Sequence, residues 1–184
     1  MDYWIDRFDR IVDVSSDWSE FARANGADHL TPEAVRGRPL WDFIGDPTTR
    51  HIWEILLHNA RRGVTHPMTL RCDAPDTRRL VKVVLSAERD LVRVTSTVER
   101  VTPRFAEALL DPSRKASGEL LTCCSWCKKF RSPSGPWVEV EVLMQEMKLF
   151  ERETLPPITH SICPACERRL AAEMGALENV PVSE

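Results

Sequence analysis

Two Cys-x-x-Cys pairs, Cys124-Ser125-Trp126-Cys127 and Cys163-Pro164-Ala165-Cys166, constrain this chain more than any other feature of its 184 residues. Two residues between cysteines let both sulfurs turn onto one ion, in a tight loop whose backbone amides can donate to the thiolates. Four thiolates at roughly 2.3 Å complete the tetrahedral shell that zinc accepts. The expected ligands are Cys124, Cys127, Cys163 and Cys166, and the expected cofactor is one zinc ion. Four ordinary buried thiols would be the plainer alternative, and two matched pairs argue against it. The spacer of 35 residues, 128 to 162, is longer than the ~15–20 of common zinc ribbons. It carries structure of its own: a two-stranded hairpin from Lys128–Arg131 and Trp137–Glu139 around Ser132-Pro133-Ser134-Gly135, then helical spacing in Val142, Leu143, Met147 and Phe150. A last helix is predicted over Ala165–Leu177, packing Leu170, Met174 and Leu177.

Three further residue groups belong to this module. Zinc with four thiolates is a −2 site, and Lys128, Lys129, Arg168 and Arg169 follow the two pairs closely enough to offset it. His160 has three open roles: ligand in place of one cysteine, hydrogen-bond donor to a thiolate, or a residue that only fixes the chain entering the second pair. Cys123 adjoins Cys124 and should point away from the ion as a free thiol. A module of this size has a thin apolar core, and a structural zinc contributes on the order of 10 kcal/mol toward folding such a unit.

Cysteine usage also bears on the compartment. The chain begins Met1-Asp2-Tyr3-Trp4-Ile5-Asp6-Arg7, charged at once and unlike a secretory leader. No run approaches the roughly 20 apolar residues that span a bilayer. The expectation is a cytoplasmic protein with no membrane partner, whose paired cysteines hold metal or do redox chemistry rather than form disulfides. Basic and acidic side chains number 15 and 16 up to Pro103 and 10 and 12 beyond it. Neither part has the basic excess of a protein that grips phosphates, so no nucleic-acid partner is expected.

The first hundred residues have a different texture. Ile11–Val14 reads as a strand, Asp17 and Glu20 open a helix that stops at Asn25-Gly26, and Thr31-Pro32-Glu33 starts a short helix ended near Gly37. Asp46-Pro47 opens the longest helix, to about Arg62, with Gly63 as its stop and Ile52, Ile55 and Leu56, helped by Trp53, as its buried stripe. Three strands follow in Met68–Cys72, Arg79–Ser86 and Leu91–Val98, joined by short turn-like links, which predicts an antiparallel meander. Cys72 alternates with Met68 and Leu70 and reads as a buried thiol.

Strand, helices, then three strands is an order that resembles the PAS domain. The local phrases agree: Ile11-Val12-Asp13-Val14-Ser15-Ser16-Asp17-Trp18 is similar to a second strand entering a first helix, and Val35-Arg36-Gly37-Arg38-Pro39-Leu40-Trp41-Asp42-Phe43-Ile44 is similar to the family's v-x-G-r-x-l-x-d-f-i segment. Arg71-Cys72-Asp73-Ala74-Pro75 fits a turn of a bacterial subgroup. The resemblance covers residues 3–100 and implies an α+β fold, a five-stranded antiparallel sheet with helices on one face. Flavin-binding members use a cysteine that Trp41–Pro47 lacks. Haem-binding members use a histidine of the long helix, where this chain has His51 and His58; a small organic ligand, or none, is the stronger expectation. The second half, 121–170, resembles a short C-terminal unit of bacterial PAS and receiver-domain proteins in Cys124-Ser125-Trp126-Cys127-Lys128-Lys129, Gly135-Pro136-Trp137 and His160-Ser161-Ile162-Cys163-Pro164-Ala165-Cys166, with Thr159 and Ser161 departing from that pattern.

The expected organisation is a PAS-like sensor domain over 1–103, a helical connector over 104–121, a small zinc-stabilised α+β module over 122–178 and a flexible tail over 179–184. In the connector, Phe105, Leu109 and Leu110 give Arg104–Leu110 an apolar helical face. No catalytic set of Ser/His/Asp, phosphate loop or paired carboxylates stands out. The expected function is non-enzymatic signal sensing through protein–protein contacts, including a homodimer through the PAS-like sheet. The alternatives are a zinc–thiolate redox switch, or a haem- or ligand-binding sensor.

Overall fold

The computed structural model describes residues 1–24, 26–111 and 113–178, with the side chains of 174–178 outside that description. Expectations about Asn25, the tail 179–184 and the packing of Met174 and Leu177 fall outside the described residues.

The first half is an α+β unit on a five-stranded antiparallel sheet. Its strands are β1 (Asp2–Ile5), β2 (Ile11–Val14), β3 (Pro67–Arg71), β4 (Thr77–Glu88) and β5 (Leu91–Pro103), arranged β2-β1-β5-β4-β3. Three helices lie between β2 and β3: α1 (Trp18–Ala24), α2 (Pro32–Val35) and α3 (Pro47–Arg61). Alternation sets the register of the core, with Val81, Val83 and Leu85 of β4 and Val92 and Val94 of β5 all buried. Ile52, Leu56, Leu57 and Ala60 of α3 are buried in the same cluster. Local chemistry starts and stops α3: the Asp46 carboxylate accepts from the Thr49 amide at 2.7 Å, and Gly63, at φ 79, lets the Val64 amide return to the Asn59 carbonyl at 3.0 Å.

The second half holds a four-stranded sheet of short strands. β6 (Leu121–Cys124), β7 (Phe130–Arg131), β8 (Trp137–Val138) and β9 (Ile158–Ser161) run in the order β8-β7-β6-β9, with β9 parallel to β6. α4 (Val140–Glu146) and α5 (Pro164–Glu178) complete it. One face, with Leu121, Cys123 and Phe130, packs on Val140, Leu143 and Met144 of α4. The other face joins the core of the first half, where Cys124, Trp126, Ile162, Cys163, Cys166 and Leu170 pack in one cluster with the aliphatic residues of the larger sheet. β3 is an edge strand, and the backbone of the cysteine-rich half covers it: the Arg71 amide donates to the Trp126 carbonyl at 2.8 Å, and Arg169 reaches the Thr69 carbonyl at 3.2 Å.

Two predicted helices are corrected. Arg104–Leu110 is not helical, because β5 continues to Pro103 and only Ala108–Leu110 makes a single 3₁₀ turn. Arg104 instead plugs the β3–β4 turn, donating to the Pro75 and Ala74 carbonyls at 3.0 and 2.6 Å. Phe105 is 94% exposed while Leu109 is fully buried, so they form no common face. The helix expected to reach Phe150 ends at Glu146, and Lys148 takes a left-handed φ of 49°. That reversal turns Leu149 into the core and Phe150 outward.

Candidate metal centre

The two cysteine pairs converge because β6 and β9 are parallel neighbours. Cys124, the last residue of β6, lies opposite Ser161, the last residue of β9, so both chains leave the sheet at the same end. Each then turns at once. After β6, the Lys128 amide returns to the Cys124 carbonyl at 3.0 Å and Lys128 sits at φ 59°, a left-handed position unusual for a side chain with a Cβ. After β9, Pro164 is the first residue of α5, and the Cys163 sulfur takes the place of a capping oxygen, 3.4 Å from the Cys166 amide. A thiolate there also gains from the helix dipole.

All four ligand sulfurs lie within 4.8 Å of one another. Cys127 and Cys163 are 3.7 Å apart, close to the ~3.8 Å edge of a tetrahedron of sulfurs bound at roughly 2.3 Å. No disulfide links any of them. The Cys163 amide donates to the Cys124 sulfur at 3.4 Å. The four cysteines are thus arranged to hold a metal ion, and they form the one such group among the described residues.

Proton chemistry points the same way. The Cys127 thiol and the amides of Cys127, Cys163 and Trp126 hydrogen-bond the Cys124 sulfur, lowering its pKa to about 4. The same sulfur–sulfur bond, with burial, pushes Cys127 far above its ordinary value, and burial plus the Cys124 charge push Cys166 up to about 12. Four sulfurs this close cannot all ionise alone. A dication among them removes that conflict, because coordination deprotonates a thiol outright.

The structure sorts the other expected residues. His160 is not in the cluster; it is exposed on β9 and lines a separate cleft of about 550 Å³ with Asp46, Thr49 and Ser125. Cys123 points away, as expected. It is 3% exposed in the α4-side core, where burial raises its thiol to about 12, so it is no accessible partner for the site. Lys129, Arg168 and Arg169 line a cleft beside the sulfurs. Cys72 is half-buried against the main core. His51 and His58 both lie on the exposed side of α3, and the His51 ring is 3.8 Å from the Glu54 carboxylate.

Sequence reasoning missed an ion-pair network that joins the two halves. Asp73, its side chain 2% exposed, pairs with Arg71 and, at 3.3 Å, with Arg104, itself 6% exposed. Arg71 reaches Glu139 at 2.7 Å, and Arg78 reaches Glu141 at 2.6 Å, at the start of α4. Nothing in one-dimensional spacing links residues 71–78 to 139–141.

No family model matches the chain, and no curated protein or solved structure is significantly similar to it. Among the described residues no helix is long and apolar enough to cross a membrane.

Proposed function

We propose that this protein is a PAS-like sensing and adaptor module of the cytoplasm, in which one structural zinc ion anchors the second half and signals pass by contact with other proteins, its own second copy included. The observation that carries the zinc reading is the ligand set. Four thiolates fill the tetrahedron and leave no open position for substrate, which is the pattern of structural rather than catalytic zinc. The strand–helices–meander order of the first half supports the PAS-like reading. Protein contact is supported by the far end of β5, where Val98 and Val101 are 43% and 54% exposed and Phe105 follows almost fully in solvent.

Native mass spectrometry with metal analysis of the purified chain tests this reading. One zinc per chain and a dimer or a stable heterocomplex are expected. A folded, metal-free monomer that captures no protein would reject it.

A second reading, small-ligand sensing, is favoured by an apolar cleft of about 240 Å³ lined by Tyr3, Trp18, Leu30, Phe43 and Trp53. With both α3 histidines on its solvent side, the cleft suits a small apolar molecule better than haem.

A further inference from the structure

The four sulfurs are not equally protected. Cys124, Cys163 and Cys166 are 0%, 2% and 6% exposed, whereas Cys127 is only half-buried. Cys127 opens onto a cleft of about 460 Å³ with Lys129, Trp137, Arg168 and Arg169, and the same cleft touches Cys163 and Cys166 but not Cys124. Lys129, Arg168 and Arg169 around that opening would stabilise an anionic leaving group. Cys163, whose sulfur is 3.7 Å from that of Cys127, also borders the cleft. We propose that Cys127 is the oxidant-reactive thiolate of this centre, attacking hydrogen peroxide that enters the cleft, and that Cys163 resolves it to a disulfide. This rests on the zinc reading above and adds a regulatory chemistry to the same site.

The chemistry balances without a further reactant. The Cys127 thiolate attacks one peroxide oxygen, the O–O bond breaks, and hydroxide leaves, giving a sulfenic acid. The Cys163 thiolate then attacks the Cys127 sulfur, the S–O bond breaks, and a second hydroxide leaves. Two thiolates are oxidised by two electrons as one hydrogen peroxide becomes two hydroxides. Only Cys124 and Cys166 would then remain as thiolates to hold a zinc ion, too few to retain it. Trp126 sits between Cys124 and Cys127, packs in the shared core, and lends its carbonyl to β3. Oxidation therefore loosens the seam between the two halves as well as the metal site.

The test treats the full-length, zinc-loaded protein with hydrogen peroxide, follows zinc with a chromogenic chelator, and maps disulfides by mass spectrometry. Stoichiometric zinc release with a Cys127–Cys163 disulfide as first product, reversed by dithiothreitol and added zinc, is expected. Cys127→His keeps a nitrogen ligand and should retain zinc while releasing it at least tenfold more slowly under peroxide. Zinc absent from the protein before peroxide is added defeats the metal reading. Zinc present but released as fast from Cys127→His, or a first disulfide without Cys127, overturns the redox assignment alone.

Discussion

The five-stranded sheet and the four-stranded sheet reach a buried core by different routes. β4 and β5 run 12 and 13 residues, pair along almost their whole length, and present buried Val and Leu at alternate positions. β7 and β8 are two residues each, and β6 and β9 four. Strands that short bury too little to hold a register. Their place is fixed at one end by four converging sulfurs and on one side by the Asp73 ion network. The larger sheet is thus specified by distributed apolar pattern, the smaller by a few strong, local constraints. The seam between them mixes both, since Trp126 belongs to the core of the first and to the Cys124–Cys127 loop of the second.

Metal removal should expose that difference most strongly. Structural zinc is worth on the order of 10 kcal/mol to a small module, so chelation or Cys163→Ser should unfold β6–β9. Because the Arg71 amide bonds the Trp126 carbonyl, its hydrogen-exchange protection should fall too, while Val83 and Val94 in the middle of the large sheet stay protected. Acidification should act in the same direction, because ligand thiolates must stay deprotonated to hold the ion. Arg71 protection that survives loss of the module would show the two regions to be independent.

Next in size are the two residues of the seam. Asp73→Ala leaves Arg71 and Arg104 facing each other with their shared carboxylate gone, and breaking such a buried pair costs about 3–5 kcal/mol. Trp126→Ala should cost about 3–5 kcal/mol through the cavity it leaves. Trp126→Phe should cost much less, because the buried indole N–H it removes has no acceptor. Urea melts followed by circular dichroism would measure all three. A loss confined to one half of the molecule, in either alanine variant, would break the idea of a shared core.

The two regions were also legible in opposite ways. In the large sheet, alternation at Met68–Cys72, Arg79–Ser86 and Leu91–Val98 revealed the strands, and Asp46-Pro47 with Gly63 revealed α3. β1 carries no such local signal, since Asp2–Ile5 is short and its partner, Val92–Thr95 of β5, lies about ninety residues on. In the smaller region the ligands were legible from spacing and the strands that aim them were not. Thr122, Ile158 and Thr159 are β-branched, but the parallel pairing of their strands depends on a crossover that no local pattern encodes. Periodicity misleads at Phe105 and Phe150, where a non-helical segment after β5 and a left-handed Lys148 send the side chain to solvent.

The smallest effect is the sharpest check on that correction. Leu109 is fully buried among Leu121, Phe130, Leu143 and Leu149, so Leu109→Ala should cost about 2–5 kcal/mol. Phe105, four residues earlier, is 94% exposed, and Phe105→Ser should stay within about 0.5 kcal/mol of the parent in the same melt. An amphipathic helix over Arg104–Leu110 would place both side chains on one face, and the two changes would then cost similar amounts. The extended segment makes them unequal: Leu109 is an anchor of the smaller core, and Phe105 is an apolar side chain held out in water by a chain fixed on both sides. Zinc content should be unchanged in Phe105→Ser. A self-association or partner affinity that falls at least fivefold in that variant, with the melting curve unmoved, places Phe105 in a contact with another protein. A melting curve that drops by more than about 1 kcal/mol returns Phe105 to the fold and the helix to the connector.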